Sequence, residues 1–215
     1  DLMPAIVFSF SRRECEGAAM HARNLAPLPE EQQEAVQTVF DAAIATLAAE
    51  DQALPQISRM LPLLKKGVAV HHSGLLPVLK EVVEILFQES LVRVLFATET
   101  FALGLNMPAR TVVFSSMRKW DGEVFREPSA AEYIQMSGRA GRRGLDKSGM
   151  VILLLGEEIE QEKFERMLAG EALPLTSAFR LKYNTLLKLY SLESFEPVKL
   201  IEQSFYSYQR HSQIP

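Results

Sequence analysis

The sequence predicts an α/β fold: a parallel sheet with helices on both faces. Short apolar runs recur at Ala5 to Phe10, Val68 to His71, Val92 to Ala97, Thr111 to Phe114 and Gly149 to Leu155, and they lack the polar alternation of a half-exposed strand. Segments with apolar residues three and four apart separate several of these runs, which is the alternation that builds parallel sheets. The composition, 47% hydrophobic and 23% charged over 215 residues, is that of a folded globular chain. A chain of this length should bury roughly 70% of its unfolded surface. It has room for one large domain, or for one domain and the beginning of another.

The elements follow in order. After the first strand, a polar helical stretch runs from Arg12 to Leu25 and is broken by Pro27 and Pro29. From Glu30 to Glu50, Ala35, Val36, Val39, Phe40, Ala43, Ile44 and Leu47 draw one apolar helix face. Pro55 and Pro62 bracket a short helix that Gly67 ends. Strand Val68 to His71 precedes a helix marked by Leu79, Val82, Val83, Leu86 and Phe87, and strand Val92 to Ala97 leads into a helical turn over Thr98 to Leu103. Beyond strand Thr111 to Phe114, Asp121-Gly122 between Trp120 and Phe125 signals a hairpin. Ser129 with Glu132 three residues later is a capping box. After the last strand, the run of glutamates in a helix over Glu157 to Leu168 reads as a solvated face. Helices over Ser177 to Tyr190 and Phe195 to Tyr208 follow with no strand between them, so a boundary falls near Pro174.

Several function classes are excluded. The single cysteine, Cys15, forbids an internal disulfide and a cysteine-cluster metal site, and fits a reducing compartment. No apolar run approaches the roughly 18 residues of a membrane helix. Asp1 is not an initiator methionine and Asp1 to Pro4 is no signal peptide, so a piece of a longer protein is expected. A net charge of −4 gives no general attraction to nucleic acid, so any such binding must rest on local groups.

The sharpest motif is Gln135-Met136-Ser137-Gly138-Arg139-Ala140-Gly141-Arg142-Arg143-Gly144. On a helix, Gln135, Arg139 and Arg142 stand at i, i+4 and i+7, one face with an amide and two guanidiniums. Two glycines inside that helix would each cost about 1 kcal/mol against alanine, which calls for close approach of a backbone or a ligand. Paired arginines with no acid between them suit a polyphosphate; the alternative is a basic helix end paired with surface carboxylates. The second motif, Phe96-Ala97-Thr98-Glu99-Thr100 leading to Gly104, Asn106, Pro108 and Arg110, lies at a strand's carboxyl end, where open α/β sheets bind ligands. Its alternative is structural, with Thr98 capping a helix and Asn106 making a turn. After the first strand, Ser9, Ser11, Arg12 and Arg13 offer hydroxyls and a helix start to phosphate. His71 and His72 adjoin Ser73 and Gly74; neighbouring strand residues face opposite ways, and no acid or cysteine completes a metal set, so no metal site is assigned. No Gly-x-x-x-x-Gly-Lys-Ser/Thr or Asp-Glu-x-His/Asp box occurs, and Asp146, not glycine, precedes Lys147-Ser148.

Gln135-x-x-Gly138-Arg139-x-Gly141-Arg142 resembles the sixth motif of superfamily 2 helicases, and Thr98 to Asn106 the fifth. Val70 to Pro77, Ala97 to Ala102, Asn106 to Arg110 and Tyr133 to Gly144 together resemble the superkiller-type DExH-box RNA helicases, in their exosome-associated branch. The resemblance covers nearly the whole chain. It implies a second RecA-like domain over residues 1–173, and over 174–215 the start of a winged-helix region that leads to an arch insertion. It also implies ATP with Mg2+, the phosphate loop and magnesium acid coming from a first RecA-like domain. Arg142 and Arg139 would then reach the phosphates, Gln135 would couple the site to its neighbour, and Gly104 and Asn106 would approach the ribose. Ser11, Arg12, His72, Gly74, Thr98 and Thr100 would meet RNA. The function implied is 3′-to-5′ RNA unwinding that feeds an RNA exosome and its adaptor proteins, with the fragment inactive alone. Ile134 to Ser137 and the ending favour the nuclear (nucleolar or nucleoplasmic) member of the branch, whereas Ser115 to Lys119 with Asp121-Gly122 resembles the cytoplasmic one. The reading from another class is an RNA- or adaptor-binding module with no catalytic contribution.

Overall fold

The computed structural model describes residues 2–22, 25–104, 107–155, 161–170, 175–177, 179–180, 182–191 and 196–212. The chain divides into two compact units, residues 1–171 and 172–215. In the first, the elements run β1 (Ala5–Phe8), α1 (Arg12–His21), α2 (Glu30–Ile44), α3 (Ala49–Gln52), α4 (Pro55–Leu64), β2 (Val68–His71), α5 (Pro77–Gln88), β3 (Val94–Ala97) and α6 (Thr100–Gly104). They continue with β4 (Thr111–Phe114), β5 (Lys119–Trp120), β6 (Phe125–Arg126), α7 (Ala130–Ser137), β7 (Met150–Leu153) and α8 (Gln161–Ala169).

Five strands form one parallel sheet in the order β2-β3-β1-β4-β7, so β1 lies at its centre. Register pairs His71 with Ala97, Phe8 with Ala97 and Phe114, and Phe114 with Leu153, so the strands end nearly level. The missing alternation has its expected cause. Val68, Val70, Val94 and Phe96 bury one face with Cys15 and Ala19 of α1. Ile6, Phe8, Ala69, Leu95, Val112 and Phe114 bury the other, in the cluster that holds Val36 and Phe40 of α2 and Leu79, Val83 and Leu86 of α5. Burial of Cys15 pushes its thiol up to about 11, so it stays a protonated core residue. No helix among the described residues is long and apolar enough to cross a membrane.

Four expectations are corrected. Pro62 does not bracket a helix but lies inside α4, whose Ile57, Met60, Leu63 and Leu64 bury enough apolar surface to offset one missing amide donor. The long helix expected from Glu30 to Glu50 breaks after Ile44 and resumes as the single turn α3. In the second unit, the expected helix over Phe195 to Tyr208 is two, α10 (Pro197–Glu202) and α11 (Phe205–Ser212), because the Ser204 hydroxyl accepts the Ser207 amide at 3.2 Å and starts a new helix. They follow α9 (Tyr183–Tyr190), which is shorter than the helix expected from Ser177, since Ser177, Phe179, Arg180 and Lys182 are not helical. Gln209 of α11 accepts the Ser177 amide at 2.7 Å and donates to the Leu175 carbonyl at 2.6 Å. The Glu157–Leu168 expectation is met by α8 from Gln161, and its residues 157–160 lie outside the described ones.

Candidate nucleic-acid and nucleotide sites

The predicted residues fall into two groups at opposite ends of the sheet. At the carboxyl end, adjacent strands β2, β3 and β1 each release a turn. Ser11 opens α1 after β1 and caps it, its hydroxyl accepting the Glu14 amide at 3.4 Å. Arg12, exposed on the first turn, lies over the β2 turn: a Cβ on Gly74 would sit 3.2 Å from the Arg12 guanidinium and from the His72 ring. The Thr98 amide, after β3, donates to the His71 carbonyl at 3.1 Å, and the Thr98 hydroxyl meets that of Thr100 at 3.0 Å rather than capping a backbone amide. Sequence order scatters these residues over ninety positions, and the parallel sheet gathers them on one edge.

His72, expected to meet RNA, lies beneath the turn that carries Gly74. It is 2% exposed; its Nδ1 accepts the Gly74 amide at 3.1 Å, which leaves Nε2–H to donate to Glu16 at 3.1 Å. Burial, partly opposed by the Glu16 carboxylate, holds its pKa below the ordinary histidine value, so the ring is neutral and shapes the turn that presents Gly74. His71 points to the other face, where it bonds Glu84 at 2.8 Å and meets the Phe101 ring edge-on. No group of three His, Cys, Asp or Glu side chains able to hold a metal is present among the described residues.

The arginine group lies at the amino end of β4 and β7. Here the one-helix face fails. Helix α7 ends at Ser137, so Gln135 is helical and exposed while Arg139 and Arg142 stand beyond the C-cap Gly138. The chain turns there because it docks onto the segment before β4: Ala109 donates to the Arg139 carbonyl at 2.8 Å, and Gly141 donates to the Ala109 carbonyl at 2.7 Å. Gly141 has φ +92°, and a Cβ on it would lie 3.0 Å from the Gly149 nitrogen. A Cβ on Gly149 would lie 2.6 Å from the Gly141 nitrogen. The close approach that the glycines require is therefore backbone on backbone. Gly149→Ala is expected to destabilise the domain by about 2 kcal/mol, read as a lower urea midpoint at unchanged slope; an unmoved midpoint would show that the loop absorbs a methyl.

The loop aims its two arginines differently. The Arg139 guanidinium donates to the Ala102 carbonyl of α6. The Arg142 guanidinium forms a side-on pair with Asp146, Nε to Oδ2 at 2.8 Å and Nη2 to Oδ1 at 3.0 Å, and the Arg142 amide donates to the same carboxylate at 3.0 Å. Hydrogen bonds from Arg142 hold the Asp146 carboxyl down at about 2. Among the described residues the Arg142 Nη1 has no partner, so its outer edge can take a phosphate oxygen. Gly104 ends α6, the helix that Arg139 reaches through Ala102, and Asn106 lies outside the described residues.

Residues 38–144 match the helicase conserved C-terminal domain. The chain is 53% identical to the DExH-box ATP-dependent RNA helicase DExH9 of Arabidopsis thaliana over 99% of its own length and 22% of that protein's. It is 50% identical to the Exosome RNA helicase MTR4 of Homo sapiens over all of its length and 21% of that protein's. To the Superkiller complex protein 2 of Mus musculus it is 47% identical over 94% of this chain and 16% of that protein. The chain belongs to the Ski2-like DExH-box RNA helicases. It carries their C-terminal helicase domain and spans between 16% and 22% of the length of these relatives.

In this helicase domain one cluster had no signal as a site in the sequence. Lys119 of β5 is 7% exposed and reaches Glu99 at 2.5 Å and Glu132 at 2.9 Å. Arg126 of β6 grips Glu132 with two bonds of 2.9 and 3.0 Å. Burial alone would lower the Lys119 pKa, but the bonds it donates to Glu99 and Glu132 raise it, so the ammonium is retained. The cluster ties the start of α6, beside Thr98, to the start of α7 through the small β5–β6 sheet. Arg139 ties the far ends of the same two helices. Only the capping box was readable: Ser129 accepts the Glu132 amide at 3.3 Å and donates its own amide to Glu132 at 2.7 Å.

Proposed function

We propose that this chain is the second RecA-like half of an ATP-dependent RNA helicase that moves 3′ to 5′ along structured RNA and feeds it to an RNA exosome. The observation that carries the reading is the division of one domain into two ends joined by α6 and α7. Ser11, Arg12, Gly74, Thr98 and Thr100 stand at the carboxyl edge, where amides, hydroxyls and a guanidinium suit RNA phosphates without reading bases. Arg139 and Arg142 stand at the other end, where ATP with Mg2+ would lie against a first RecA-like domain that supplies the phosphate cradle and the magnesium acid. Gly104 and Asn106 would approach the ribose, and Gln135, exposed on α7, would face the neighbouring domain. Residues 174–215 would begin a winged-helix region leading to an arch insertion. The proposed partners are the RNA exosome and its adaptor proteins, and the proposed setting is the nucleus, which the resemblance carried by Ile134 to Ser137 favours.

The test is RNA-stimulated ATP hydrolysis by the chain alone and after mixing with a separately made first domain. No turnover alone and turnover on mixing is expected. Hydrolysis by the lone chain would mean a complete active site within it and would end the half-site reading.

A further inference from the structure

We infer that Asp146 is a positioning residue for the phosphate-facing guanidinium of Arg142, a role that rests on the reading of Arg142 given above. The loop after α7 has no regular secondary structure from Gly141 to Gly149, so nothing in the backbone ladder holds a long side chain still there. An arginine has several rotatable bonds, and a charge that must meet a developing negative charge gains only if its direction is set beforehand. Asp146 sets it. One carboxylate takes the Arg142 amide and Nε on Oδ2 and Nη2 on Oδ1, so backbone and head group of the same residue are fixed by a single acceptor.

The geometry differs from a surface ion pair in three ways. The Asp146 side chain is 6% exposed whereas that of Arg142 is 24% exposed, so the acid lies beneath and the base above. The pair is side-on, using Nε and Nη2, which leaves Nη1 directed away from the carboxylate. The loop that carries both residues is anchored at each side, by Ala109 to Arg139 and Gly141 and by Met150 to Arg110. Arg166 and Glu162 on α8 show the contrasting case, an i,i+4 pair at 3.3 Å with both side chains more than half exposed and no backbone bond to the acid.

The experiment uses the full-length parent. Asp146→Asn keeps the shape but turns one acceptor oxygen into a donor that faces a guanidinium. Expected is a kcat for RNA-stimulated ATP hydrolysis lowered on the order of 10- to 100-fold, with KM for ATP and the RNA Kd within about twofold, as for an interaction used only in the transition state. In an Arg142→Ala background the same substitution should change kcat by no more than about twofold further, because the amide bond to Asp146 that remains orders the loop but reaches the phosphate only through the missing guanidinium. Asp146→Glu, which keeps the charge one methylene further out, should recover part of the loss, and it carries the test if Asp146→Asn does not fold. A kcat within about twofold of wild type for Asp146→Asn, or a further tenfold loss on top of Arg142→Ala, overturns the proposal. Full turnover by Arg142→Ala alone would instead remove the reading of Arg142 on which it rests, so the two failures are separable.

Discussion

Arg142→Ala in the full-length parent is expected to lower ATP turnover by a factor of about 10³ or more while RNA binding survives. The two outcomes separate because the two ends of the domain are distinct. Arg142 lies in the loop that docks beside β4 and β7 at their amino ends, whereas Ser11, Arg12, Gly74 and Thr98 lie past the carboxyl ends of β1, β2 and β3. Removing a guanidinium at one end leaves the hydroxyls and amides at the other untouched. Arg139→Ala should be less selective, since its guanidinium also donates to the α6 carbonyl of Ala102 and helps hold the helix that starts beside Thr98. The measurement is steady-state hydrolysis at saturating RNA together with RNA affinity at fixed salt, because a phosphate-held RNA responds steeply to ionic strength. Near-wild-type hydrolysis by Arg142→Ala would favour the reading in which the domain only binds RNA or an adaptor.

What the sequence revealed and what it hid follow from the range of the forces involved. The strands over Val68–His71 and Thr111–Phe114 stand where their apolar runs put them, because burial on both faces leaves a local trace. The Ser129–Glu132 cap was legible for the same reason, as both partners lie within one turn. The order β2-β3-β1-β4-β7 was not, since any strand of this kind can pair with any other until the crossovers are built. The end of α7 was misjudged because helical spacing continues past Gly138, while the stop is imposed from outside by Ala109. The surroundings of His72 were hidden on the same grounds. Nothing beside it in sequence announces Glu16, fifty-six residues earlier, which holds its ring under the Gly74 turn. A motif thus marks which residues matter more readily than it shows which of them touch the ligand.

The largest loss of stability is expected from Glu132→Ala. This carboxylate caps α7 through the Ser129 amide, takes two bonds from Arg126 and receives Lys119, which is only 7% exposed. Removing it takes away a cap and leaves a buried ammonium held by Glu99 alone, at 2.5 Å. Breaking a buried pair from one side costs about 3 kcal/mol or more, because the remaining ion keeps its desolvation penalty. A surface pair such as Arg166 with Glu162 would cost well under 1 kcal/mol. Acid should show the same dependence. Burial would raise the Glu132 pKa, but bonds from Arg126, Lys119 and the Ser129 amide bring it well below the ordinary carboxylate range. A carboxyl depressed in the folded state contributes its stability above its unfolded value of about 4.3 and loses it as the pH falls below that value. Urea midpoints measured from pH 7 down to pH 3 should therefore decline more steeply for the wild type than for Glu132→Ala once the pH falls below about 4.3, so that the gap narrows by pH 3 without closing, because the folded-state value lies lower still. Parallel curves, or a difference below about 1 kcal/mol at pH 7, would mean that Lys119 is satisfied by Glu99 and that the starts of α6 and α7 are joined by packing instead of charge.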